Sequence, residues 1–278
     1  MFLLVHKPKW YTSFDIVDKI KKIYHGEKVG HAGTLDPMAT GLLIIAIGKD
    51  TKRLKEFVGL DKTYLATIDF SKKSDTRDMD FWEEYREMKS DEKRWNLMKK
   101  DEIWWKKWPS QFCEVQSDEG GWSLMKSGTF TSRWVIRKKN RETGISEIIG
   151  EKTWTFHIPT QQEIQEKFES ILWYHPMPLT PFSAKKWKGK KLYEYAREGN
   201  PIYVDVDMQL IDFEILHYDF PELKIKFHVG SGAYIRSYAH WIGEQFWLWW
   251  ILTSLERVKV GEIMLIKNLD SWSLLTIS

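Results

Sequence analysis

Residues 30–43 read Gly30-His31-Ala32-Gly33-Thr34-Leu35-Asp36-Pro37-Met38-Ala39-Thr40-Gly41-Leu42-Leu43. Three glycines surround one aspartate, and the chain then turns apolar without a break. Glycine lets a backbone turn tightly and approach a ligand closely. An aspartate before proline is, by itself, most often a turn or cap residue. Glu27 to Gly41 is therefore expected to be a loop, and Leu42 to Ile47 a buried strand. The loop offers a carboxylate, Asp36, and a ring, His31, able to stack or hydrogen-bond. With no second His or Cys at ligand spacing, no metal site is expected. Nor is there a Gly-rich phosphate loop ending in Lys-Ser/Thr.

Upstream, Phe2 to His6 reads as a first strand. Thr12 and Asp15 resemble a capping box with Asp in place of Glu, and Phe14, Val17, Ile20 and Tyr24 follow at helical spacing, so a helix spans about Ser13 to Tyr24. Downstream, Thr63 to Phe70 reads as a strand. From Glu83 to Ile158 no period is sustained, apart from a possible strand at Trp134 to Ile136. This segment is either a solvated, partly disordered insertion or an accessory RNA-contacting module. Thr160 can cap a helix to about Leu172, and Pro176 to Pro181 breaks the pattern. Leu210 to Tyr218 and Leu223 to Val229 alternate as paired strands, with Phe213, Ile215, Ile225 and Phe227 toward the core. Tyr234 to Phe246 reads as a helix, and Val258 to Ser278 as one strand and a short helix. Strands in runs with helices between them favour an α+β fold.

Two further clusters carry chemistry. Lys185, Lys186, Lys188, Lys190, Lys191 and Arg197 fall within thirteen residues, interleaved with Tyr193 and Tyr195. Such a segment can track a phosphate backbone and stack on bases, although charge runs are usually solvated faces. Gly230-Ser231-Gly232-Ala233-Tyr234-Ile235-Arg236 lies where a strand yields to a helix. Amides at a helix start attract anions, and Arg236 is suited to pair with a carboxylate, as buried arginines usually do.

The 278 residues are 42% hydrophobic and 29% charged, with a net charge of +3, so any RNA site must come from local clustering of charge. That length suits one large domain or two small ones. The apolar N-terminus is too short for a signal peptide or a membrane span. Cys113 is the only cysteine, so no intrachain disulfide forms. A cytoplasmic protein, with no membrane association, is expected.

Four blocks resemble the bacterial tRNA pseudouridine-55 synthases of the TruB family. These are Lys7-Pro8 with Thr12-Ser13; residues 30–43 along their whole length; Ser183-Ala184 through Gly189 to Tyr193-Glu194-Tyr195-Ala196-Arg197; and Gly232-Ala233-Tyr234-Ile235-Arg236-Ser237. The resemblance covers about residues 2–80 and 160–270. It implies the pseudouridine synthase fold: a central mixed or antiparallel sheet flanked by helices, with a tRNA-gripping insertion at residues 177–199. It implies one catalytic domain over residues 1–278, with an atypical insertion at 83–158.

The resemblance also implies roles. Asp36 would initiate cleavage of the uridine N-glycosidic bond. Tyr64, in Asp61-Lys62-Thr63-Tyr64, would stack on the uracil and assist proton removal at C5. Arg236 would pair with Asp36. His31 would help hold the T-loop open around a flipped base, while Lys52, Tyr234 and Leu255 would line the pocket. Lys185, Lys188, Lys190, Lys191 and Arg197 would grip the T-arm of tRNA. No cofactor is expected, because the reaction is an isomerisation, and a monomer is expected. A non-catalytic tRNA-folding chaperone and a synthase acting on another structured RNA stand as alternatives.

The chain departs from the family pattern in places. The stretch after Leu255-Glu256-Arg257-Val258-Lys259-Val260-Gly261 is too short for a C-terminal RNA-binding PUA domain, so none is expected. Glu256 replaces a preferred arginine, and Met177-Pro178-Leu179-Thr180 replaces Gln-x-Pro-Pro. There are 16 tryptophans against 17 glycines. Trp10, Trp173, Trp247, Trp249 and Trp250 fall where the family carries turn glycines. Replacing the smallest residue with the largest at turns runs against the need for positive φ or close approach. The pattern fits a gene in which UGA is read as glycine; UGG codons at these positions would exclude that.

Overall fold

The computed structural model describes residues 1–71, 129–139, 146–183, 185–248, 250–265 and 274–277. The chain divides into two compact units, Met1–Arg86 with Gln165–Ser278, and Glu87–Ile164.

The first unit is built on one sheet. β1 (Phe2–Lys7) leads to helix α1 (Ser13–Ile23), β2 (Val29–Ala32), β3 (Thr40–Ile47), a 3-10 turn (Gly48–Arg53), α2 (Lys55–Val58) and β4 (Lys62–Asp69). The expected cap of α1 is present: Thr12 Oγ1 accepts from the Asp15 amide at 3.1 Å, and the Asp15 carboxylate accepts from the Thr12 amide at 2.7 Å. Leu42 to Ile47 is apolar throughout because both faces of β3 are covered. Leu43, Ile45 and Ile47 pack with Ile16, Val17 and Ile20 of α1, while Leu42, Ile44 and Ala46 pack with Phe2, Leu4 and Val260. Each such buried side chain contributes roughly 1.5–3 kcal/mol.

After the second unit, the chain returns as α3 (Gln161–Glu169), which straddles the boundary, and β7 (Trp173–Leu179). A small hairpin, β8 (Lys186–Trp187) and β9 (Lys190–Lys191), precedes α4 (Leu192–Arg197). Then come β10 (Val204–Asp219), β11 (Glu222–Val229), α5 (Ile235–Gln245), β12 (Ile251–Val260), β13 (Ile263–Met264) and β14 (Leu274–Ile277). The sheet order is β14-β1-β3-β12-β4-β11-β10-β7, with β13 on β12 and β2 on β3. Its pairings are antiparallel except β12 with β3, a short parallel contact at Glu256–Thr40 and Arg257–Gly41. This is the expected α+β architecture with a mixed sheet. Ile225 and Phe227 are buried as expected, whereas Phe213 and Ile215 are half-buried.

The second unit contains the antiparallel hairpin of β5 (Thr129–Lys139) and β6 (Ser146–His157). The strand expected at Trp134 to Ile136 is thus part of a longer one. The mixed charge and tryptophan of residues 99–108 lie outside the described residues. Thr160 caps α3 in a reciprocal box with Glu163, whose carboxyl is held down to about 2, first by the Thr160 amide.

Several expectations need correction. Glu27 to Gly41 is not all loop: Val29–Ala32 forms β2, its glycine and small residues having hidden a strand that buries Val29 and Ala32. Pro176 to Pro181 does not interrupt the sheet. Residues through Leu179 form β7, the terminal strand of the path, and an edge strand tolerates proline. The Thr160-capped helix stops at Glu169, before Leu172. Among the described residues of 258–278 there are strands and no helix. The basic segment is a hairpin before it is a helix, turning at Lys188 and Gly189 with φ of 46° and 86°. Positive φ at both central residues is what a tight two-residue hairpin loop requires.

Candidate active site

Asp36 sits in the connection between β2 and β3, and side chains from distant elements hold that connection in place. Leu35 is tied to α1: its amide donates to Ser13 Oγ at 2.9 Å, and Ser13 Oγ lies 3.3 Å from the Leu35 carbonyl. Pro37 is tied to the segment after β1. Its carbonyl accepts from the Trp10 amide at 2.8 Å and from Lys7 Nζ at 3.1 Å. Lys7 is fully buried and also donates to the carbonyls of Pro8 and Tyr11. The Lys7-Pro8 and Thr12-Ser13 block therefore buttresses the aspartate loop from both sides.

Arg236, in the first turn of α5, meets Asp36. Its Nη2 donates to Oδ1 at 3.1 Å, and its Nε lies 3.1 Å from Oδ2. The arginine side chain is 6% exposed and the aspartate 30%, so a buried cation presents a carboxylate still open on one side. Tyr234, half-buried at the start of α5, senses the same carboxylate. Burial and the negative charge of Asp36 push its phenol above the usual range.

Tyr64 is buried on β4, between Phe227 on β11 and Arg257 on β12. His31 lies on β2, its imidazole held below the usual range by burial and then by the positive Arg257. Leu255 is buried across from Ala66, and its carbonyl is 3.5 Å from the Thr40 hydroxyl. The geometry thus brings Asp36, Arg236 and Tyr234 together and places His31, Tyr64 and Arg257 around the base of the loop. Lys52 is exposed on the 3-10 turn, with no described contact to this group.

The basic segment forms its own surface. Lys185 and Lys188 are exposed. Lys190 is paired with Glu198 and lies 5.0 Å from the Tyr195 ring centre. Lys191 and Arg197 flank the Tyr193 ring at 5.3 and 5.1 Å. The tyrosines therefore already bind cations of their own segment, which orients the charges.

Sequence reasoning left Ser13, Lys7 and Arg257 without roles. The first two stood in a quoted motif, but their task, supporting a loop some 22 to 30 residues away, has no local signature.

Among solved structures, a Cbf5-Nop10-Gar1 complex is similar with a TM-score of 0.51 at 17% identity, over 94% of this chain and 49% of that one. An H/ACA RNP bound to a substrate RNA containing 2′-deoxyuridine gives 0.50 at 16%, over 94% and 47%. This chain spans about half the length of those chains and shares their fold.

The family model described as TruB family pseudouridylate synthase (N terminal domain) matches residues 21–120 and 124–235. The tRNA pseudouridine synthase B of Chloroherpeton thalassium is 30% identical over 267 residues, covering 94% of this chain and 83% of the relative. Those of Malacoplasma penetrans and Aquifex aeolicus are 29% and 30% identical, over 97% and 94% of this chain and 89% and 68% of their own. The chain belongs to the TruB family of pseudouridylate synthases, which are isomerases. Among the described residues no helix is long and apolar enough to cross a membrane.

Proposed function

We propose that this protein isomerises uridine to pseudouridine at position 55 in the T-loop of tRNA, in the cytoplasm. The observation that carries the reading is the pairing of Asp36 with Arg236 on a buttressed loop. A buried, planar guanidinium fixes the orientation of the carboxylate it pairs with. The Asp36 side chain keeps 30% of its surface exposed, and a flipped nucleotide needs such access to a carboxylate.

In the reaction the C1′–N1 bond breaks, the base turns, and a C1′–C5 bond forms. The C5 proton leaves and N1 regains one, so no atom is gained or lost. Asp36 initiates the cleavage. Tyr64 supplies a ring on which uracil stacks and a hydroxyl that assists removal of the C5 proton. Tyr234 and Leu255 shape the pocket, with Lys52 at its rim. His31, whose imidazole burial and then Arg257 hold below its usual range, packs against the opened T-loop. Residues 177–199 grip the T-arm through Lys185, Lys188, Lys190, Lys191 and Arg197, and residues 83–158 are an insertion in one catalytic domain.

The test is pseudouridine mapping of unmodified tRNA incubated with the protein and with Asp36→Asn. Conversion at the T-loop uridine by the unmutated protein alone is the expected result. Equal conversion by both removes Asp36 as catalyst. Tight binding without conversion favours a chaperone, and conversion elsewhere or only in other RNAs moves the substrate.

A further inference from the structure

We propose that Arg257 is a positioning residue that sets the geometry of the aspartate loop. It stands on β12 and is 1% exposed, among the largest fully buried side chains. Its Nε donates to the Leu42 carbonyl at 2.8 Å and its Nη2 to the Gly33 carbonyl at 3.1 Å. Gly33 opens the loop that carries Asp36 and Leu42 lies in β3, the strand the loop runs into, so one planar guanidinium ties the two sides of the loop's base together. Among the described residues no carboxylate neutralises it, and its described partners are these two carbonyls.

The backbone enforces the same contact. Gly41 has φ of 103°, and a Cβ there would lie 2.3 Å from the Arg257 carbonyl oxygen and 2.7 Å from its nitrogen. Only glycine lets β3 approach β12 this closely, at the point where the two strands make their parallel contact. Arg257 also stands across from Tyr64. The strand that clamps the loop therefore sets its distance from the aromatic platform. Lysine offers a point charge and cannot span two carbonyls in one plane.

This inference rests on the proposed activity, so the unmutated protein must first convert tRNA; if it does not, that reading fails before Arg257 is tested. Arg257→Lys and Arg257→Met are then compared by single-turnover conversion, tRNA Kd and thermal midpoint. The expected result is a rate loss of roughly 100-fold in Arg257→Met and at least about tenfold in Arg257→Lys, because small misplacements of a reacting group cost that much. The Kd in Arg257→Lys stays within about twofold, with cooperative unfolding retained. An Arg257→Lys protein that converts at the unmutated rate overturns the proposal. So does one that loses rate, binding and folding together, which marks a purely structural arginine.

From a separate observation we infer that residues 10, 173 and 247 are glycine in the protein its own cell makes. Five described non-glycine residues have positive φ, and three are tryptophan: Trp10 at 71°, Trp173 at 72° and Trp247 at 57°. All three are exposed, at 44%, 63% and 76%, so little burial offsets the conformation. Trp247 follows the Phe246 cap of α5. Its amide donates to the Glu244 carbonyl at 3.3 Å, and the Leu248 amide donates to that of Gly243 at 3.0 Å. That pattern is the helix ending in which glycine is preferred at the left-handed position. Trp250 differs: it is 7% exposed, with its ring 5.2 Å from that of His240, and the inference does not extend to it. Trp249 lies outside the described residues.

The codons decide. UGA at positions 10, 173 and 247, with glycine in peptides of the native protein by mass spectrometry, is expected; UGG there overturns the inference. In the protein as written, Trp10→Gly, Trp173→Gly and Trp247→Gly should each raise the thermal midpoint by about 2–4 °C. Midpoints that fall in all three count against it.

Discussion

Arg236 and Asp36 lie 200 residues apart in sequence, and the arginine donates from Nη2 to one aspartate oxygen at 3.1 Å while its Nε stands 3.1 Å from the other. The pairing is directional, because a planar guanidinium fixes the plane of the carboxylate as well as its charge. Arg236→Lys keeps the charge and loses the plane. Single-turnover conversion should fall by roughly 100-fold, with tRNA affinity changed by less than about threefold. An unchanged rate would mean that charge alone suffices.

Ser13 offers a test of the loop's support. Its hydroxyl accepts from the buried Leu35 amide at 2.9 Å. Ser13→Ala leaves that amide without its acceptor, at a cost of about 2 kcal/mol, lowering the thermal midpoint by about 4–8 °C. Because Leu35 precedes Asp36, the rate should fall as well, even at temperatures where the variant is fully folded. Calorimetry with activity measured well below the midpoint separates the two effects.

The cations of the hairpin segment are not equivalent. Lys188 is exposed at the turn, whereas Lys190 is held by Glu198. Lys188→Ala should weaken tRNA binding and reduce the salt slope by about 1. Glu198→Gln should strengthen binding and steepen the slope, by releasing Lys190. A titration across salt concentrations in which neither variant changes the slope would place the RNA grip elsewhere.

Lys62 gives a pH signature. Its ammonium donates to the carbonyls of Val58 and Leu60, and burial, then the nearby Arg257, push it down to about 8. Unfolded, it titrates near 10.4. Between about pH 8 and 10.4 the unfolded chain binds more protons than the native one, so this group makes stability rise with pH. Below pH 8 its charging penalty is present in full. The difference in midpoint between unmutated protein and Lys62→Met should therefore move in favour of the unmutated protein as pH rises from 7.5 to 10. A constant difference would show that Lys62 titrates normally.

What the sequence determined by itself was local. The Thr12–Asp15 cap, the apolar run at Leu42 and the alternation from Leu210 to Val229 each depend on neighbours within a few residues, and each has its expected element. Elements failed to show where local signals were mixed. Small residues concealed β2, and prolines concealed an edge strand that needs few donors. The positive φ that turn chemistry demanded at residues 10, 173 and 247 was also legible, as a conflict between position and side chain.

Only the tertiary structure decided how the site is held. The 30–43 stretch marked Asp36, but nothing in it specified Ser13, Lys7 and Arg257 as its supports. The Arg257 contacts arise because the sheet order sets β12 between β3 and β4, bringing residue 257 against residues 33, 41 and 64. Periodicity and capping report the conformation of a short segment. Contacts across a sheet depend on how distant segments pair, and that is settled when the whole core is buried at once.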